Sequence, residues 1–144
     1  MNTGSRKKIE YYNKKAGFDY FLEDEVEAGI VLSGLEIKAI RSGRVNLTGS
    51  HVKVLNNEVF WLGGIINVKE GDPQRTRKLL LNKNQIKRLI GSTAEKGFSV
   101  IPLKIYLKHG KAKLLIALGK GKKKYDKRET IKQRDYERRE QRMT

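Results

Sequence analysis

Residues 119–144, GKGKKKYDKRETIKQRDYERREQRMT, cannot contribute to a folded core, so this run fixes where the globular part of the chain must end. From Lys120 onward eleven Lys or Arg face five acids, a net of +6. The larger apolar or aromatic side chains there, Tyr125, Ile131, Tyr136 and Met143, fall at offsets that make no i, i+3, i+4 stripe. Such a segment can be helical, but it offers no face to bury against the rest of the chain. Asp135 and Arg139 have the i, i+4 spacing of an intrahelical pair, compatible with helix formation on a partner. The expected layout is a basic N-terminal segment (1–17), one domain (18–119) and a tail (120–144) that is disordered when free and helical when bound.

The whole chain, 144 residues, carries 32 basic and 16 acidic side chains, a net of +16. A charge of that size favours phosphate backbones or acidic membranes as partners and says nothing about fold. No apolar run approaches the ~18 residues of a spanning helix, and the tail lacks the Leu/Phe/Trp face of an interfacial one. The N-terminal residues are basic without the apolar stretch of a secretory signal. Cysteine is absent, which removes disulfides, thiolate metal sites and cysteine nucleophiles together. A cytoplasmic protein with no membrane partner is expected. Tyr125 and Tyr136 among so many cations point to stacking as well as charge, and hence to RNA, although a solvated extension would share the charge.

Residues 18–32 alternate as a strand, with Tyr20, Leu22, Val26, Ala28 and Ile30 on one face and Glu23, Glu25 and Glu27 on the other. Ser33 with Glu36 makes a capping box for a helix that points Ile37 and Ile40 inward and stops at Gly43. Residues 51–67 read as a hairpin turning at Asn56-Asn57. After Asp72-Pro73, residues 75–81 are expected to be extended, because Asn82 with Gln85 opens a helix carrying Ile86, Leu89 and Ile90. Ser92 with Glu95 suggests a separate short helix ended by Gly97. Residues 98–107 and 111–118 form a second hairpin around His109-Gly110, with Leu103, Ile105 and Leu107 facing the core. The fold class is mainly β with short helices: an OB-like β-barrel plus a basic C-terminal tail.

Nothing in this pattern resembles an active site. His51 and His109 are isolated near turns. The acids Glu23, Asp24, Glu25 and Glu27 lack the spacing of a calcium loop and suit a solvated strand face. GLEIK and GKGKKK do not fit a phosphate-binding loop. No enzyme activity, cofactor, metal or small-molecule substrate is expected. Binding signals are denser. Lys104, Tyr106, Lys108, Lys111 and Lys113 set cations around an aromatic ring, a pattern shared by RNA-binding faces and by ordinary polar sheet faces. Arg75, Arg77 and Lys78 form a second basic cluster, and Asn13-Lys14-Lys15 a third.

Four strings recur in order: NKKAGFDYFLEDEVEAGIVLSGLEIKAIRSGRVNL, DPQRTRKLLLNK, GFSVIPLKIYLKHGKAK and IALGKGKKKYDKRE. Together they resemble the SmpB family, the tmRNA-binding (SsrA-binding) proteins of bacteria, over residues 13–139. The resemblance implies an RNA-binding adaptor that binds the tRNA-like domain of tmRNA and takes it to stalled ribosomes for trans-translation. It also implies a tail that enters the empty decoding site, against small-subunit rRNA, and the mRNA channel. Carried over by position, Asn13, Lys14, Glu27, Arg75, Arg77, Lys78, Leu80, Lys120, Lys122 and Lys123 would serve tmRNA. Tyr125, Asp126, Lys127, Arg128, Lys132 and Arg134 would serve the decoding site and channel. The loop at residues 67–71 is shorter than the family pattern, and Asn82 stands where histidine is commoner. A ribosomal or other rRNA-binding protein with a similar barrel and tail is the alternative.

Overall fold

In a computed structural model, residues 9–95 and 97–143 are described, the side chains of 135–143 excepted. The elements run β1 (Glu10–Tyr12), α1 (Ala16–Asp19), β2 (Tyr20–Ile30), α2 (Gly34–Arg41), β3 (Val45–Asn46), β4 (His51–Leu55), β5 (Glu58–Leu62), β6 (Ile65–Ile66), β7 (Arg77–Leu80), α3 (Lys83–Thr93), β8 (Phe98–Lys108), β9 (Lys111–Gly121) and α4 (Lys124–Met143). Six strands pair antiparallel in the order β8-β4-β5-β7-β2-β9, and β9 pairs back onto β8, so the ring closes. The fold is mainly β with short helices, as expected, apart from the long α4. The sheet begins earlier than expected, because β1 adds to β8 beside Lys104–Tyr106. Inside the ring lie Ala28, Ile30, Val52, Val59, Trp61, Leu79, Val100, Ile105, Leu114 and Ile116.

Local chemistry explains most of these boundaries. Both hairpins turn on two residues with positive φ, Asn56 (51°) and Asn57 (60°) in one, His109 (52°) and Gly110 (76°) in the other. Mirror-image turns of this kind match the twist of the strands they join. Both capping boxes are formed: Ser33 with Glu36 and Asn82 with Gln85. Gly43, at φ 77°, ends α2 as its N–H reaches Ile40 O while that of Arg44 reaches Ala39 O, the paired bonds of a Schellman motif.

Three expectations need correction. Phe18 and Asp19 belong to α1, and the strand starts at Tyr20. Ser92 does not open a new helix, since α3 continues unbroken through Thr93 and Ile90 is left exposed. Leu103 is the extra residue of a bulge, where the β8–β9 register slips between Pro102 and Lys104. A bulge exchanges the inward and outward positions beyond it. Val100 points inward before it and Ile105 after it, which leaves Lys104, Tyr106 and Lys108 outside.

A fourth correction concerns Arg77, expected at an RNA surface but 0% exposed. On β7, Arg77 and Leu79 alternate inward while Lys78 and Leu80 face out. The Arg77 guanidinium donates to Glu36 Oε2 (2.8 Å), Gly64 O (2.6 Å) and Pro73 O (2.9 Å), and lies 5.4 Å from the Trp61 ring centroid. Glu36 also accepts from Arg75 and from the Ser33 backbone N–H. A Cβ on Gly64 would lie 1.9 Å from Trp61 Cζ2, so only glycine lets the indole and the guanidinium share this space. With all three nitrogens engaged and no surface exposed, Arg77 serves the core rather than RNA.

Burial by itself would raise the Glu36 pKa, but hydrogen bonds from Arg75, the Ser33 N–H and Arg77 outweigh it and hold the carboxyl at about 2. With a folded value below the unfolded one, the stabilisation is complete above about pH 4.5 and fades as pH falls toward 2, a loss of about 3 kcal/mol. Glu36→Gln should remove that acid-dependent part and, by leaving the Arg77 charge uncompensated, cost roughly 3–5 kcal/mol at pH 7. Urea unfolding of both proteins between pH 7 and 2.5 checks this, and identical acid profiles would refute it.

Candidate nucleic-acid interface

Strand register assembles the outward face of β1, β8, β9, β2 and β7 into two cross-strand rows. Tyr12 lies opposite Lys104, Lys104 opposite Leu115, and Leu115 opposite Glu27. In the next row Glu10 faces Tyr106, Tyr106 faces Lys113, Lys113 faces Gly29, and Gly29 faces Leu80. Residues far apart in sequence, Glu27 and Leu80, thereby join the Lys104–Tyr106–Lys108 ladder on one surface. Leu80 is 55% exposed, and its Cβ would sit only 3.3 Å from a Cβ at position 29, so glycine there lets the leucine lie flat.

The face is held by its own charges. Lys108 Nζ lies 3.6 Å from Glu27 Oε2, and Lys104 Nζ 3.6 Å from Glu10 Oε1. Burial, followed by the neighbouring Glu27 carboxylate, pushes the Tyr106 pKa up to about 12. Glu27 therefore orients a phenol and an ammonium, which lowers the cost of a carboxylate near phosphates. Asn13 ends β1 and braces the bulge, its N–H donating to Leu103 O (2.8 Å) and its Nδ2 to Pro102 O (2.9 Å). Lys14 is exposed beside it. Lys78 is exposed on β7 and lies 3.4 Å from Glu58. Arg75 is half-exposed but tied to Glu36.

The remaining expected residues gather at the other end of the β2–β9 ladder, where α4 leaves the barrel. Lys120 sits 5.8 Å from the Phe98 ring centroid and Lys122 4.9 Å from that of Phe21. Lys122 Nζ also donates to Gly17 O (3.0 Å) and Thr130 Oγ1 (2.6 Å). Lys127 pairs with Asp19 (3.3 Å), and both Lys127 (5.7 Å) and Arg134 (5.8 Å) lie over Phe18. The tail lacks an apolar stripe, yet its first turns dock by laying cations on exposed rings. Asp126 accepts from the Lys123 N–H at the start of α4, where a carboxylate suits the helix dipole. Lys123, Tyr125, Arg128 and Lys132 remain exposed, Tyr125 at 71%. Tyr136 and the Asp135–Arg139 pairing lie outside the described side chains.

Comparison with known proteins matches the family described as SmpB protein over residues 10–144. The chain belongs to the SmpB family. The SsrA-binding protein of Bacillus subtilis (strain 168) is 52% identical over 144 residues, covering 96% of this chain and 92% of that protein. The one from Bacillus pumilus is 53% identical over 137 residues, 91% and 88% of the two chains. Among solved structures, a chain from "tmRNA-SmpB: a journey to the center of the bacterial ribosome" is 37% identical, with a TM-score of 0.69 over 85% of this chain and 94% of that one.

On this SmpB scaffold the sequence-expected residues separate into the five-strand face and the tail root, with Arg75 and Arg77, both bound to Glu36, in neither. Sequence reading missed Tyr12, Phe18 and Phe21. Tyr12 carries a signal only through β1, whose three residues become a strand by pairing with β8, some ninety positions away. The docking of the tail root is open to test. Asp19→Asn should weaken it by at most about 1 kcal/mol, the range of exposed ion pairs, speeding amide exchange in residues 124–134 by up to roughly fivefold. High salt should do the same to the unmodified chain. Unchanged protection in both experiments would mean that neither the Lys127–Asp19 pair nor any other salt-sensitive contact holds the helix.

Proposed function

We propose that this chain is a non-enzymatic RNA-binding adaptor that binds the tRNA-like domain of tmRNA and delivers it to stalled ribosomes for trans-translation, in the cytoplasm. The observation that carries this reading is the match to a tmRNA–SmpB structure over 85% of the chain, at 37% identity. The names of the SsrA-binding relatives agree with it. Among the described residues no helix is long and apolar enough to cross a membrane.

In this reading the body and the tail have different RNA sites. Glu27, Leu80, Lys14 and Lys78 belong to the tmRNA side, with Asn13 tying the turn that carries Lys14 to the β8 bulge. Lys120, Lys122 and Lys123 stand at the junction. Tyr125, Asp126, Lys127, Arg128, Lys132 and Arg134 belong to the decoding site and the mRNA channel. Lys127 and Arg134 must give up their contacts with Asp19 and the Phe18 ring before they can reach rRNA, and Lys122 those with Gly17 and the Phe21 ring before it can reach tmRNA.

The test compares binding to tmRNA, to an elongator tRNA and to a generic RNA duplex across a salt series. A preference for tmRNA that survives near-physiological salt supports the adaptor reading. Equal binding to all three, collapsing together as salt rises, would leave charge as the sole cause and favour a general rRNA-binding protein. Deleting residues 125–144 should leave tmRNA affinity within a few-fold and abolish tagging on stalled ribosomes. Parallel loss of both activities would refute the division between body and tail.

A further inference from the structure

Tyr12 is 58% exposed on β1, which has a neighbour on one side only, and no family-derived assignment involves it. Its ring is nevertheless fixed. The hydroxyl donates to Glu10 Oε2 at 2.8 Å, and Lys104 Nζ lies 5.5 Å from the ring centroid. The same ammonium lies 5.1 Å from the Tyr106 centroid, and Tyr106 in turn neighbours the Glu27 carboxylate. Glu27 is matched by Lys108. Six side chains on the surface thus form one interlocked chain, and their rotamer entropy is already lost before anything binds.

From this geometry we infer that Tyr12, seated on Lys104, is a stacking platform for an unpaired nucleobase of the bound RNA. The inference rests on the RNA-binding reading above and adds a contact to it. A ring that is pinned at its hydroxyl, backed by a cation and open to solvent is what base stacking uses, because every base has a π-face. The surrounding Lys108, Lys111 and Lys113 favour a ligand that brings phosphates with its ring system and repel a basic peptide competing for the same tyrosine. Glu10 and Glu27 do not spoil this, as each is neutralised by a lysine within 3.6 Å. Tyr106 is half-buried and acts as a positioning residue for Lys104 rather than as a second platform.

Two probes separate this inference from the adaptor reading: the tRNA-like domain of tmRNA, and a short unpaired oligoadenylate with a central 2-aminopurine, whose fluorescence is quenched on stacking. In the full-length chain, Tyr12→Leu keeps an apolar strand former and removes the ring. It should weaken oligonucleotide binding about 5- to 100-fold, abolish the quenching and leave the salt slope unchanged, since no phosphate contact is lost. Tyr12→Phe should stay within about twofold of the unmodified chain. Lys104→Met should reduce both affinity and the salt slope. Oligonucleotide binding and quenching that survive Tyr12→Leu would overturn the inference even if tmRNA is still preferred. Loss of the preference for tmRNA in the unmodified chain would count against the adaptor reading alone.

Discussion

A carboxylate and a guanidinium buried beneath Trp61 set the geometry on which the rest of the barrel depends. Moving Glu36 and Arg77 out of water costs several kcal/mol per ion, which is offset only when nearly every polar atom finds a partner. Here the partners come from four places: the α2 N-terminus through Ser33, the exposed arginine Arg75, and the carbonyls of Gly64 and Pro73. Each is a point where a loop meets the ring of strands. The pair therefore fixes how α2 caps the barrel and how β7 is held between β5 and β2. The outward row of β7, Lys78 and Leu80, takes its position from the inward row.

The same link between inner and outer positions recurs at the Leu103 bulge. If Leu103 paired as an ordinary strand residue instead of bulging, the side chains that follow Pro102 would exchange faces, sending Lys104 and Tyr106 into the core and Ile105 out. The energetic cost of burying an ammonium makes that register inaccessible. Asn13 occupies the backbone groups at the bulge, so the terminal strand and the kink stabilise one another. The interlocked face of Tyr12, Lys104, Tyr106 and Glu27 is a consequence of where the chain places this one additional residue.

How much of this was legible in the sequence follows from the range of the interactions involved. The capping boxes at Ser33 and Asn82 and the turns at Asn56-Asn57 and His109-Gly110 are local, closed within four residues, and they appear where the sequence puts them. Ser92 and Glu95 carry the same local signature. They do not start a helix, because α3 is already running and continuing it adds a hydrogen bond per residue where a new helix would have to nucleate. Arg77 was misread for the opposite reason. Its inward direction follows from the alternation with Leu79, but its partner Glu36 is forty-one positions away, and a run of three cations reads as surface. β1 has only three residues and no pattern of its own, so Tyr12 acquires meaning only through its register with Lys104.

The charge of +16 gives the chain general attraction to RNA without discrimination. Discrimination needs groups whose positions are fixed before contact, and the structure distributes them unevenly. On the five-strand face Lys104, Lys108 and Lys78 are each oriented by a carboxylate, and Lys104 by two rings as well, which lowers the net field but supplies shape. At the tail root, Lys122, Lys127 and Arg134 are held by weak contacts with rings and with Asp19, while Arg128 is exposed and Lys132 meets only Glu129 of its own helix, at 3.9 Å. Cation–ring contacts of this exposure are worth only about 0.5–1 kcal/mol each, less than a charge-assisted hydrogen bond to phosphate. A polyanion can therefore displace them one at a time. In the proposed adaptor the body recognises and the tail yields, because their cations are held with different strength.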